Sequence, residues 1–172
     1  MIKAEDIEIV VASEKTVKYV DEILDTITRA AKVRGTGIAK RSPEYVKQKM
    51  LENKAVVALY KGEEFAGFSY IESWSNKQFV ANSGLIVANK FRGLGLANRI
   101  KRRIFELSRE RFPHAKIFSL TTGAAVMKIN NKLGFRPFLE RLRELCEFRH
   151  LAAQRPTHVP LHRTALRPRR AP

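Results

Sequence analysis

Residues 78 to 107 constrain the fold more than any other stretch of this chain. An apolar run without a polar face leads through two closely spaced glycines into an amphipathic repeat. From Gln78 to Ala88, Phe79, Ala81, Leu85 and Val87 alternate with Val80, Ile86 and Ala88, so both parities are apolar. That pattern predicts a strand covered on both faces and central in its sheet. Phe91-Arg92-Gly93-Leu94-Gly95-Leu96-Ala97 then enters a helix whose inner face is Leu96, Ile100, Ile104 and Leu107. Arg99, Lys101, Arg102 and Arg103 fall on its predicted outer face.

The rest of the chain supplies partners for this unit. Ile7 to Val11 reads as a strand, and Ser13 with Glu14 as the start of a helix carrying Val17, Val20, Leu24, Ile27 and Ala31 on one face. A basic connection, residues 32 to 41, includes Gly35 and Gly37. Ser42-Pro43 reopens a helix, with Tyr45, Val46, Met50 and Leu51 predicted on its inner side. Ala55 to Tyr60 and Phe65 to Ile71 form a hairpin about Lys61-Gly62-Glu63-Glu64. Lys116 to Thr121 is a further strand. Ala124 to Leu133 is a short helix stopped by Gly134, and Phe135 to Phe138 begins another strand. The expectation is one α+β (α/β) domain: a mixed, mostly antiparallel central sheet flanked by about four helices.

Composition limits the alternatives. The chain has 172 residues, enough for one independent core, and its single cysteine, Cys146, excludes an internal disulfide framework and a cysteine metal finger. The longest apolar run, Ala55 to Tyr60, is far short of the ~20 residues of a membrane span. The acidic start, Met1-Ile2-Lys3-Ala4-Glu5-Asp6, has no signal-length apolar stretch, so a cytoplasmic protein is expected. Net charge is +16, of which residues 138 to 172 supply +5 through eight arginines against three glutamates. Such a charge favours phosphate-bearing partners without choosing among them. Residues 139–153 read as a C-terminal helix and 154–172 as a basic, Arg/Pro-rich, disordered tail.

The glycine turn carries the chemistry. It points backbone N–H groups and a helix N-terminus at one place, which makes an anion site. A nucleoside-triphosphate loop requires Gly-Lys-Ser/Thr, whereas Gly95 is followed by Leu96-Ala97. A dinucleotide fingerprint requires a small residue where Asn98 stands. What remains is Arg92-x-x-Gly95-x-Ala97 after Leu85-Ile86-Val87, followed downstream by Ala125 to Phe135 ending in Lys132-Leu133-Gly134-Phe135. The two motifs, in this order, resemble those of the GNAT (Gcn5-related) N-acetyltransferases, over roughly residues 5 to 138.

The resemblance implies acyl-CoA-dependent N-acyl transfer, with acetyl-CoA as cosubstrate and no metal. Leu85, Ile86 and Val87 would pair with the pantetheine arm, a backbone N–H near Leu85 would hold the oxyanion, and Arg92, Gly93, Gly95, Leu96 and Ala97 would cradle the pyrophosphate. Arg99, Lys101 and Arg102 are candidates for extra phosphate charge. Glu72 is the candidate base, ahead of Tyr70, while His114 lies in a loop. Asn130 stands where many members carry an acid tyrosine, and Gly123 where they often carry asparagine. Arg34, Lys40, Arg41 and Trp74 are candidates to bind the acceptor, a small-molecule primary amine; the basic residues point to an acidic one such as glutamate. The resemblance allows a homodimer. A catalytically weak acyl-CoA-binding module is the first alternative, favoured by Asn130. A nucleic-acid-associated acetyltransferase is ranked last, because no basic strand carries interleaved aromatics.

Overall fold

A computed structural model describes residues 2–34, 41–74, 76–119, 121 and 123–136, with the side chains of Val33 and Arg34 excepted. These residues fall in the first of two units of the chain, 1–140. The predicted helix at 139–153, the tail, the Gly35–Gly37 loop with Lys40, and Ser75 all lie outside the described residues.

Five strands, β1 (Ile7–Val11), β2 (Ala55–Tyr60), β3 (Glu64–Trp74), β4 (Phe79–Val87) and β5 (Lys116–Phe118), form a sheet in sequence order. The first four are antiparallel, and β5 joins β4 in parallel. Four α-helices flank the sheet: α1 (Val20–Arg34), α2 (Pro43–Leu51), α3 (Leu96–Arg111) and α4 (Ala124–Lys132). The mixed, mostly antiparallel fold is therefore as expected. β3, not β4, occupies the middle of the sheet; eight of its eleven residues are buried. β4 is apolar on both faces for another reason: α3 covers one face and the α1–α2 layer the other.

Each layer has its own core. Val46 and Met50 of α2 and Ile23 and Ile27 of α1 pack on Val57, Phe68, Tyr70 and Ile86. On the opposite face Ile100, Ile104 and Leu107 of α3 pack on Val56, Ala66, Ile71 and Val80. Burying these side chains supplies the driving force, at ~1.5–3 kcal/mol each. Leu51, expected inside, is 48% exposed because α2 ends there and turns away.

The predicted first helix opens as a 3-10 segment, Glu14–Tyr19. The Thr16 hydroxyl donates to the Ser13 carbonyl at 2.8 Å and accepts from the Ser13 N–H at 2.9 Å, tightening that turn. Ser42 caps α2 as expected, its hydroxyl accepting from the Tyr45 N–H at 3.2 Å. β5 stops at Phe118, three residues earlier than expected, and no strand is present at Phe135–Arg136.

The β3–β4 ladder contains a bulge. Phe68 pairs with Ile86 and Tyr70 with Ser83, so three steps along β4 oppose two along β3. Gly84, at φ +67°, absorbs the extra residue, and the Cδ1–Cε1 edge of the Tyr70 ring fills the space a Cβ would take. The Ser69 hydroxyl donates to the Ser83 carbonyl at 2.9 Å, satisfying an acceptor at the irregularity.

Candidate functional site

Among the described residues β4 and β5 pair only from Phe79–Ala81 against Lys116–Phe118. Past that point β4 continues without a described partner on this side, and Ser83, Gly84 and Leu85 are half-exposed on a central-type strand. The edge of β4 facing the split is an open template for an extended chain of amides. Leu85, Ile86 and Val87 lie on this stretch; Ile86 turns into the α1–α2 core and Leu85 and Val87 toward the α3 side.

At the end of β4 the chain makes a 3-10 turn, Asn89–Phe91, and enters the glycine turn. Gly93 and Gly95 have φ values of +85° and +70°, in the left-handed region that side chains resist. A Cβ at either would meet nothing within 4 Å, so the space above the turn is open. The N–H groups of Gly93, Leu94, Gly95, Leu96 and Ala97 make no backbone hydrogen bond among the described residues. Five consecutive unbonded donors thus lie at the open turn that begins the sixteen-residue α3, and exposed Arg92 adds a cation. The residues fit a pyrophosphate.

Two of the three extra basic residues do other work. Arg99 donates to the carbonyls of Ala4 (2.6 Å) and Ile7 (2.5 Å), tying the N-terminal segment to α3. Arg102 is exposed, whereas Lys101 is 1% exposed and does not belong to the outer face. The reason is geometric: Ser119, just past β5, and Phe135, just past α4, cover α3 at Lys101 and Phe105, so its covered arc extends beyond the Ile100–Ile104–Leu107 stripe. Lys101 Nζ donates to Ser119 Oγ at 2.8 Å, and the same oxygen accepts from Asn130 Nδ2 at 3.0 Å. The Phe135 ring, centred 5.4 Å from Nζ, closes over the lysine. Asn130 is 6% exposed and its Oδ1 has no partner among the described residues. Asn130 reaches this position because Gly134, at φ +84°, ends α4 and lets the Phe135 N–H bond back to the Asn130 carbonyl at 3.0 Å.

On the α1–α2 face a polar group sits beside the bulge. Glu72 is buried and accepts from Lys49 Nζ at 2.8 Å. Lys49 and Arg41 both stand over the Tyr45 ring, at 5.1 and 5.6 Å from its centroid. Arg41 Nε donates to the Tyr70 hydroxyl at 2.8 Å, and Tyr45 and Tyr70 meet edge to face. The structure thus brings Arg41, Tyr70 and Glu72 into one neighbourhood. Trp74 ends β3, two residues beyond Glu72, and Arg34 ends α1. Lys49 and Tyr45 were not singled out from sequence as site residues. Their signal, a cation and a ring spaced by four on α2, gains meaning only when α2 docks on β3.

Elsewhere, a depression lined by Glu5, Asp6, Glu8, Lys61 and Gly62 lies on the β1 side of the sheet, away from the split. Among the described residues no group of three or more His, Cys, Asp or Glu gathers to hold a metal, and no helix is long and apolar enough to cross a membrane.

No family model and no curated protein matches the chain. Solved structures do. An N-acetylglutamate synthase from Neisseria gonorrhoeae, complexed with coenzyme A and N-acetyl-glutamate, superposes with a TM-score of 0.63 at 17% identity over 87% of this chain. This chain spans 33% of that protein's length. A GNAT-family acetyltransferase from Staphylococcus aureus gives 0.62 at 15% identity, covering 78% of this chain and 87% of that one. A Mycobacterium tuberculosis protein in complex with CoA gives 0.64 at 13% identity, covering 87% of this chain and 83% of the other. The chain has the fold of GNAT acetyltransferases.

Proposed function

We propose that this chain is an acyl-CoA-dependent N-acyltransferase that moves an acetyl group to the primary amine of a small molecule. One observation carries the reading: five unbonded N–H groups over an open turn continue directly into the unpaired edge of β4. The turn suits a pyrophosphate and the edge suits an amide-bearing arm, and acetyl-CoA carries the two joined in that order. The CoA found with structural neighbours supports the same cosubstrate. An acidic acceptor, an amino acid such as glutamate, is supported by Arg41 beside the bulge and by the N-acetyl-glutamate bound to the gonococcal neighbour.

The reaction needs two reactants held together and a route for the amine proton, and proximity supplies several kcal/mol of the acceleration. Glu72, anchored by Lys49 and adjacent to the bulge where the thioester would lie, is the proposed base. Arg34, Arg41 and Trp74 are the proposed acceptor contacts. A homodimer, a cytoplasmic location and a domain boundary near residue 138 complete the proposal.

Calorimetric titration with acetyl-CoA tests the cosubstrate. Micromolar binding by the wild type and at least tenfold weaker binding by folded Gly95→Trp are expected, since the indole would fill the open space above the turn. Equal affinity in the two proteins would remove the turn from the site. Thiol release against a panel of amines then separates an enzyme from a non-catalytic acyl-CoA-binding module. With a turned-over amine, Glu72→Gln should lower kcat by about a hundredfold at neutral pH while acetyl-CoA affinity holds. An unchanged kcat would move the base elsewhere.

A further inference from the structure

Direct acyl transfer ejects a thiolate, and a proton must reach it. Asn130 cannot supply one at neutral pH. The groups around it can. If the phosphates sit at the turn after β4, the arm runs back along β4 from Val87 toward Asn82, and its reactive end arrives where pairing with β5 begins. Ser119 is the first residue of the β5 segment past that fork.

Ser119 is half-buried, and its hydroxyl oxygen accepts from Lys101 Nζ on one side and Asn130 Nδ2 on the other. Both lone pairs are thereby used, and its own hydrogen has no acceptor among the described residues. Lys101 makes no ion pair among the described residues. The elements around it carry the exposed cations Arg102 on α3, Lys116 on β5, Lys128 and Lys132 on α4, and Arg136 beyond Phe135; α3 also carries the exposed carboxylates Glu106 and Glu110, and neither pairs with Lys101 among the described residues. A buried ammonium with no counter-ion, one hydroxyl away from a fork in the sheet, is a site that lacks an anion. The Asn130 Oδ1, buried and without a partner among the described residues, leaves a second vacancy for an incoming N–H or S–H.

We propose that Ser119 protonates the departing thiolate, with Lys101 and Asn130 as the positioning residues that supply and orient its proton. As the carbon–sulfur bond breaks, its electron pair goes to sulfur, the Ser119 hydroxyl proton forms the S–H bond, and a Lys101 N–H proton passes to the Ser119 oxygen. Lys101 is left as a neutral amine and regains a proton from water once CoA departs. Burial lowers the Lys101 pKa to about 8, which suits both halves of that cycle near neutrality. The inference rests on the acyl-CoA reading above.

Its test uses free CoA, so that no acceptor is needed. The ultraviolet thiolate band of bound CoA is followed against pH in wild type, Lys101→Met and Ser119→Ala, beside calorimetric CoA binding. In the wild type the bound thiol should titrate about one unit below free CoA, because the ammonium stabilises the thiolate. Lys101→Met should return it to the free value or above, with CoA affinity at pH 6 unchanged, and Ser119→Ala should fall between them. A bound thiol with the same pKa in wild type and Lys101→Met overturns this inference and leaves the acyl-CoA reading standing. A folded wild type that binds no CoA overturns both.

Discussion

Gly84→Ala is expected to lower the thermal midpoint by on the order of 10 °C, a larger loss than Gly134→Ala, where the same methyl meets open space. Two costs combine. Alanine at φ +67° is strained by ~1–2 kcal/mol, and its Cβ would lie 2.6 Å from Tyr70 Cδ1 and closer still to Cε1. The ring has no simple escape. Its hydroxyl accepts from Arg41, its edge meets Tyr45 at 5.9 Å, and Phe68 packs at 5.9 Å on the same strand. Overpacking of this kind costs a further ~1–3 kcal/mol, against a total stability of ~5–15 kcal/mol. Each kcal/mol moves the midpoint by ~2–4 °C in a chain of this size. Gly134→Ala is the control: its φ is +84° but nothing lies within 4 Å of the new methyl, so strain alone should remain. Thermal melts followed by circular dichroism decide. Equal losses in the two variants would mean that Tyr70 yields readily and does not hold the bulge.

That bulge shows where sequence reading stops. The glycine turn was legible because its requirements are local: left-handed φ at Gly93 and Gly95, a strand before it and an apolar helix face after it all lie within thirty residues of chain. Gly84 gave no such signal, because its role depends on a ring on another strand. The same distinction explains the misplaced centre of the sheet. Apolar residues on both faces of β4 report coverage by two helical layers, which a strand next to the middle receives as fully as the middle strand does. Glu72 was legible as a carboxylate at the end of a strand, but its Lys49 partner lies 23 residues away on a helix whose docking no local pattern reveals.

Lys101 illustrates the point for the site. A lysine one position from a core isoleucine reads as solvent-facing, since apolar spacing defines only the middle of a helix's covered arc. Where that arc ends depends on Ser119 and on Phe135, which follows the Gly134 stop of α4 and packs edge to face on Phe105 at 5.4 Å. Arg99 failed the phosphate expectation for a similar reason. Its carbonyl partners, Ala4 and Ile7, are more than ninety residues away in sequence.

Lys101→Met should make the protein more stable at pH 7, by about 2 kcal/mol. In the folded chain burial depresses the Lys101 pKa from 10.5 to about 8. Below pH 8 the group is charged in both states, and its burial costs the fold its full penalty, on the order of 3 kcal/mol. Between pH 8 and 10.5 the unfolded chain keeps a proton that the folded chain has released, so wild-type stability rises with pH across that window. Methionine has nearly the same length and no charge to desolvate; it forfeits the bond to Ser119, worth ~1 kcal/mol, which trims the gain. Urea denaturation of both proteins at pH 7 and pH 10 reads the effect. The advantage of the variant should be largest at pH 7 and shrink toward pH 10, and other groups that titrate in the window cancel in the difference. A variant less stable than wild type at pH 7 would mean that the ammonium is paired in the fold, and the site would lose the unmet positive charge that recommends it for a thiolate. A stability gain coupled to a lost thiol shift would instead show a residue kept at the expense of the fold for what it does to sulfur.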